Sequence, residues 1–118
     1  MDTNLIHSLT CCRTDVDGAL RMFSGNEELY MTCLNAFLSD PTMAQLNAAI
    51  SSSSWDDAFT AAHALKGLAG NMGFVPLYHA TGELVILIRT GKVSEISEAT
   101  LRVKQCYNEI ITAIRESI

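Results

Sequence analysis

Apolar residues recur at spacings of three and four along almost the whole chain, and no stretch alternates apolar and polar as a half-buried strand would. That period admits helices that each bury one stripe. Leu5, Ile6 and Leu9 begin a short helix closing near Cys12, and Val16, Ala19, Leu20 and Phe23 make a second short piece ended by Ser24-Gly25. A third starts at Asn26, whose side chain suits an N-cap, with Glu27 and Glu28 in the first turn facing the positive end of the helix dipole. Tyr30, Cys33 and Phe37 form its inward stripe, flanked by Leu34 and Leu38. Asp40-Pro41 then breaks or kinks the chain, since Asp suits a cap and Pro the first turn of a new helix. Leu46, Ala49 and Ile50 carry the apolar face onward.

Ser54 closes a serine run and reads as the next N-cap, with Asp56 and Asp57 in the first turn. The helix from Trp55 ends near Gly73, where a left-handed C-cap is expected. Pro76 sits in the first turn of its successor, whose stripe is Leu77, Thr81, Leu84 and Ile88 and whose end is Gly91. Gly82, inside that helix, implies a close approach to a neighbour. Ser94 is expected to cap a long final helix with Ile96, Ala99, Val103, Cys106, Ile110 and Ala113 inward. Four substantial helices with short connections pack most simply as an antiparallel four-helix bundle, so the expected class is all-α with additional short N-terminal helices. At 118 residues the chain reads as a single domain spanning 1–118, large enough for a core without disulfide or metal staples.

Composition narrows the function. The net charge is −5 and the eight Lys and Arg are scattered, so the basic stripe that nucleic-acid binding needs is missing. No apolar run reaches the roughly 18 residues of a membrane span. "MDTNLIHSLTCCRTD" has neither the basic nor the apolar region of a signal peptide, so a cytoplasmic protein without membrane contact is expected; a domain cut from a larger protein would look the same. The four cysteines form no C-x-x-C pair and no two histidines stand at i and i+4, so neither a zinc nor a dithiol signature exists. Cys33 and Cys106 fall on apolar helical positions and are expected in the core, with Cys11 and Cys12 as reduced bystanders.

One stretch departs from plain helix chemistry: "FTAAHALKGLAGNMGF", residues 59–74. A glycine inside a helix costs about 1 kcal/mol relative to alanine, yet Gly67 and Gly70 both fall where the helix should still run. At about 100° per residue, Trp55, Ala58, Ala62, Leu65, Ala69 and Met72 occupy a core arc centred near −130° from His63. Phe59, Lys66, Gly67 and Gly70 all lie within about 60° of the histidine, as would Phe74 if the helix reached that far. The histidine is therefore placed off the core stripe, beside one lysine and a track without side chains. Helical side chains lean toward the N-terminus, so a glycine at 67 leaves the imidazole uncovered. Taken singly, a lone histidine reads as a surface or packing residue and helical glycines as close-packing sites; their coincidence on one arc points to access.

"HALKGLAGNMGF" resembles the H-x-L-K-G signature of histidine-containing phosphotransfer (HPt) domains, the intermediate carriers of bacterial and plant phosphorelays. "GNEELYMTCLNAFLSDPTMAQL", "WDDAFTAAH" and "LYHATGELVILIRTGKV" extend the resemblance over about residues 16–118. It implies an antiparallel four-helix bundle with the active histidine exposed mid-helix. It further implies that His63 accepts a phosphoryl group from an aspartyl phosphate on a receiver domain, that Lys66 favours the phosphoryl charge, and that Gly67 keeps the nitrogen accessible. Phe59, Gly70 and Phe74 would join them at the receiver contact. The implied partners are response-regulator receiver domains or a hybrid histidine kinase, and the implied state is a monomer. Such a chain is a carrier with no kinase activity and no cofactor of its own, the Mg2+ belonging to the receiver. Many members carry a glutamine on the following helix near the site; Val85 stands there instead, with Glu83 nearby, which leaves a contribution from that helix open.

Two other functions fit the same residues. The phosphoacceptor domain of a chemotaxis-type histidine kinase shares the fold and motif but takes its phosphate from ATP through a separate catalytic domain. A helical interaction module would use Phe59, Phe74 and the glycine track as a docking groove without chemistry. His79 is expected at the surface or rim of its helix, and neither it nor His7 sits in a motif that suggests a phosphoryl role.

Overall fold

The computed structural model describes residues 1–117 and contains, among them, seven helices and no strand. These are α1 (Thr3–Cys11), α2 (Val16–Met22), α3 (Glu27–Phe37), α4 (Thr42–Ser51), α5 (Trp55–Met72), α6 (Val75–Arg89) and α7 (Val93–Glu116). The starts of the early helices follow from side-chain caps. Asp2, Asp15 and Asn26 accept hydrogen bonds from the backbone N–H groups of Asn4, Gly18 and Leu29 at 2.9–3.0 Å. Asp40 accepts from Thr42 N at 2.8 Å, so the Asp-Pro pair makes a clean break between α3 and α4. Pro41, rather than the expected Asp40, fills the N-cap position of α4, while each of the caps made by Asp2, Asp15 and Asn26 stabilises its helix by about 1 kcal/mol.

Two expected serine caps differ as well. Ser54 occupies the N-cap position of α5, but its hydroxyl faces that of Ser52 at 3.0 Å and caps no backbone N–H. Ser94 does not cap α7: the helix begins at Val93 after Lys92. Gly91 adopts φ +71° and the turn closes through Lys92 N–H donating to Leu87 O at 3.0 Å, so the chain reverses faster than a serine cap would allow.

The four long legs of the bundle are the broken α3–α4 pair, α5, α6 and α7. The last three are joined by turns of a few residues, which makes neighbours antiparallel. α5 lies between α4 and α6, and α6 packs on α7. The ring closes where Phe37 meets Tyr107, centroids 5.5 Å apart. α1 rests on α7 and α2 covers one end of α5. Leu46, Leu65, Leu77, Leu84, Val103 and Ile114 are fully buried between the legs. Cys33 and Cys106 prove only half-buried, at the margin of this core rather than within it.

The α5–α6 corner is clasped by the N-terminal segment. Gly73 turns the chain with φ +78°, and a side chain there would collide with the carbonyl oxygen of Asp15. Asp15 N–H donates to Gly73 O at 2.8 Å, Thr14 bridges to Phe74, and the buried Tyr30 hydroxyl donates to Met72 O at 2.8 Å. This clasp sets where α5 ends and where α6 departs, and so fixes the distance between the two helices at the glycine track.

Candidate functional site

The α5 wheel places its residues as the sequence indicates on the core side. Ala58, Ala62, Leu65, Ala69 and Met72 are buried, Trp55 is half-buried, and Ala61 joins them at the edge of the arc. His63 is exposed on the opposite side, at the middle of the helix. The half-buried Phe59, one turn earlier, lays its ring parallel to the imidazole, with centroids 6.2 Å apart and planes 1° from coplanar. The imidazole thus has one aromatic neighbour on its own helix and is otherwise exposed.

The two glycines do different things. A Cβ added at Gly67 would meet nothing within 4 Å, so the surface one turn beyond His63 is bare. At Gly70 an added Cβ would sit 3.2 Å from two carbons of the Tyr78 ring. Gly70 is thus a packing glycine that admits an aromatic from α6, and it stays exposed beside that ring. Gly82, which the sequence marks as a place of close approach, takes the Lys66 side chain: an added Cβ would lie 3.7 Å from Lys66 Cε. Lys66, half-buried, carries its ammonium 5.3 Å from the centroid of the Tyr78 ring. That lies inside the roughly 6 Å reach of a cation–π contact.

Phe74 stands apart from this face. The helix stops before it, and its ring is completely buried, packed on Phe37 with centroids 5.1 Å apart. The expectation that it would line a partner contact is therefore corrected: the wheel carried α5 one residue past the left-handed Gly73, which redirects the chain inward. Val85 is buried and presents no group to the surface, and the Glu83 carboxylate is engaged by Arg102 at 3.2 Å. The contribution of α6 comes one and two turns earlier, from Gly82 and Tyr78. Nothing in a single-sequence pattern marks Tyr78 except its place opposite the two helical glycines, a signal that appears only once α5 and α6 are paired.

Beside Gly67 and Gly70 a groove of about 600 Å3 opens between α2, α5 and α6. Met22, Val75 and Tyr78 are exposed along it, with Asp15 and His79 at its margin. α2 is the element whose part in this face the sequence did not indicate. His7 lies far along α1, where its ring faces Cys11 Sγ at 3.7 Å, outside this constellation. Among the described residues no three His, Cys, Asp or Glu side chains gather as metal ligands, and no helix is long and apolar enough to cross a membrane.

A family model described as the Hpt domain matches residues 38–113, from the end of α3 to near the end of α7. The match takes in the whole of α4, α5 and α6, with His63, Lys66, Gly67, Tyr78 and Gly82 all inside it. No curated protein and no solved structure matches the chain with significance.

Proposed function

This chain belongs to the Hpt domain family, the phosphotransfer modules of two-component signalling, and we propose that it relays a phosphoryl group through His63 between receiver domains. Hpt domains are phosphocarriers that work with receiver domains and kinases. The observation that carries the reading to His63 is its exposure at mid-helix with bare surface at Gly67 and with Lys66 one turn along the same helix. A phosphohistidine needs an imidazole that a large partner can reach from one side, and this is the face that offers it.

In the proposed step a ring nitrogen lone pair of His63 attacks the phosphorus of an aspartyl phosphate. The new N–P bond forms as the P–O bond to the aspartate breaks, the carboxylate leaves with the electron pair, and the imidazole proton is released to solvent. Transfer onward is the reverse step on a second receiver. Such chemistry depends mostly on in-line placement and on neutralising the phosphoryl oxygens. Lys66 supplies one positive charge from this chain, and the receiver is expected to bring Mg2+. Phe59 and Gly67 border the approach, and the groove walled by Met22, Val75 and Tyr78 gives the receiver an apolar footing.

The chemotaxis-type alternative shares every one of these residues and differs in the donor. Incubation with phosphorylated receiver domains, and separately with an ATP-loaded chemotaxis-type kinase domain, separates the two. Label arriving from receivers is the expected result. Label arriving from the kinase domain alone would assign the chain to the other class, and an unlabelled, folded chain would favour a docking module.

A further inference from the structure

We propose that Tyr78 is a positioning residue for Lys66, and that Gly70 and Gly82 are the two vacancies that let it act. Tyr78 projects from α6 onto α5 at Gly70, one of the two positions where α5 has no side chain, its ring carbons 3.2 Å from where a Gly70 Cβ would be. The seated ring holds the Lys66 ammonium 5.3 Å from its centroid. The lysine stem reaches it across Gly82, where any side chain longer than a methyl would stand in its path, since Cε already lies 3.7 Å from the Cβ position. The lysine is thus confined to the α5–α6 seam by two contacts from α6, the helix opposite the one that carries His63.

The chemistry of this seat matters more than its existence. Ordering a lysine side chain costs up to about 2 kcal/mol of rotamer freedom, so a lysine ordered beforehand has less to lose when a phosphoryl group arrives. A carboxylate could order it equally well but would cancel its charge. No carboxylate among the described residues lies within ion-pair distance of Lys66, and the three ion pairs among those residues all lie elsewhere. An aromatic face attracts the cation through its quadrupole, leaves the net positive charge intact and leaves N–H donors free for phosphoryl oxygens. Tyr78 therefore acts through Lys66 and not on the phosphoryl group itself.

This inference rests on the phosphocarrier reading, so the test uses phosphoramidate, a small donor that can phosphorylate histidine directly with loss of ammonia. A receiver is absent, and a lost docking contact cannot mimic the effect. The proteins are the full chain, Tyr78→Leu, Tyr78→Phe, Lys66→Met, the Tyr78→Leu/Lys66→Met double variant and His63→Gln, each checked for helix content. The first readout is the proton shift of the Lys66 ε-methylene in the unphosphorylated protein. It should be displaced upfield by the ring in wild type and Tyr78→Phe, and revert in Tyr78→Leu. The second is the rate of His63 labelling. Tyr78→Leu should slow it about two- to tenfold, the rate equivalent of a partly desolvated cation–π contact, and Tyr78→Phe should restore it. In the Lys66→Met background Tyr78→Leu should change nothing further. An undisplaced methylene in wild type, or equal slowing by Tyr78→Leu with and without Lys66, overturns the proposal. Phosphoramidate label that persists undiminished in His63→Gln would instead remove the carrier reading, while the methylene shift still decides the seat.

Discussion

Gly67 is the position where stability and function should move in opposite directions. It lies inside α5, at ordinary helical φ, with open space where a side chain would go. Replacing it by alanine therefore brings the full propensity gain of about 1 kcal/mol with no steric cost. At about 2.1 cal/mol/K per residue, unfolding 118 residues involves an entropy near 250 cal/mol/K, so Tm should rise by about 4 °C. Gly67→Gln should keep most of that gain, because glutamine is nearly as good a helix former. Its side chain, however, leans back one turn onto residue i−4, which is His63. Phosphotransfer to that variant from a phosphorylated receiver should fall at least about tenfold, since the partner can no longer bring phosphorus into line. Ala64→Gln supplies the control: it adds the same side chain to an exposed position that does not face the imidazole. Thermal melts by circular dichroism and single-turnover transfer on the three variants decide the matter. A Gly67→Gln protein that melts higher and transfers within twofold of wild type would refute the reasoning, and so would a Gly67→Ala protein that melts lower.

Two further substitutions and one pH dependence follow from the packing. Phe74→Leu should lower stability by about 1–2 kcal/mol through lost volume beside Phe37, while the folded fraction transfers at the wild-type rate; slower transfer per folded molecule would return Phe74 to the docking face. Burial, reinforced by the Asp15 carboxylate, pushes the Tyr30 phenol well above its ordinary range, and burial beside Asp40 raises Tyr107. A tyrosine whose folded pKa is raised binds more protons in the native state at alkaline pH. Its stabilisation is complete below about pH 10 and is lost as pH climbs beyond that. Denaturant midpoints should therefore fall more steeply above about pH 10, where this loss adds to that of the raised Cys12 and Cys106 thiols. Tyr30→Phe should flatten that fall while costing about 1 kcal/mol at neutral pH for the lost bond to Met72 O; an unchanged alkaline slope would remove Tyr30 as its source.

Much of this fold was legible because helical period and caps are local properties. Asn26, Asp40, Gly73 and Gly91 act at the helix ends where their side chains or φ values suit, and the α5 stripe buries the arc that the wheel assigns. What failed was extrapolation through a reversal. Phe74 shares an angle with His63 only on an α5 that never ends, and Ser94 caps α7 only if the turn after Gly91 is longer than it is. At the site, His63, Lys66 and Gly67 could be read from one helix. The part of Gly70 could not, because its vacancy is filled from α6, and Tyr78 carries no local sign of its role. Long-range contacts between helices leave only weak traces in a single sequence, and those traces were the glycines.

The central claim is that His63 carries the phosphoryl group, and one measurement tests it most directly. Wild type and His63→Gln would each be incubated with phosphorylated receiver domains, and the label on the small chain tested for stability in acid and alkali. Label on wild type that survives alkali, is lost in acid and is missing from His63→Gln is the predicted result. Equal labelling of a folded His63→Gln protein, or a label stable to acid, would contradict it.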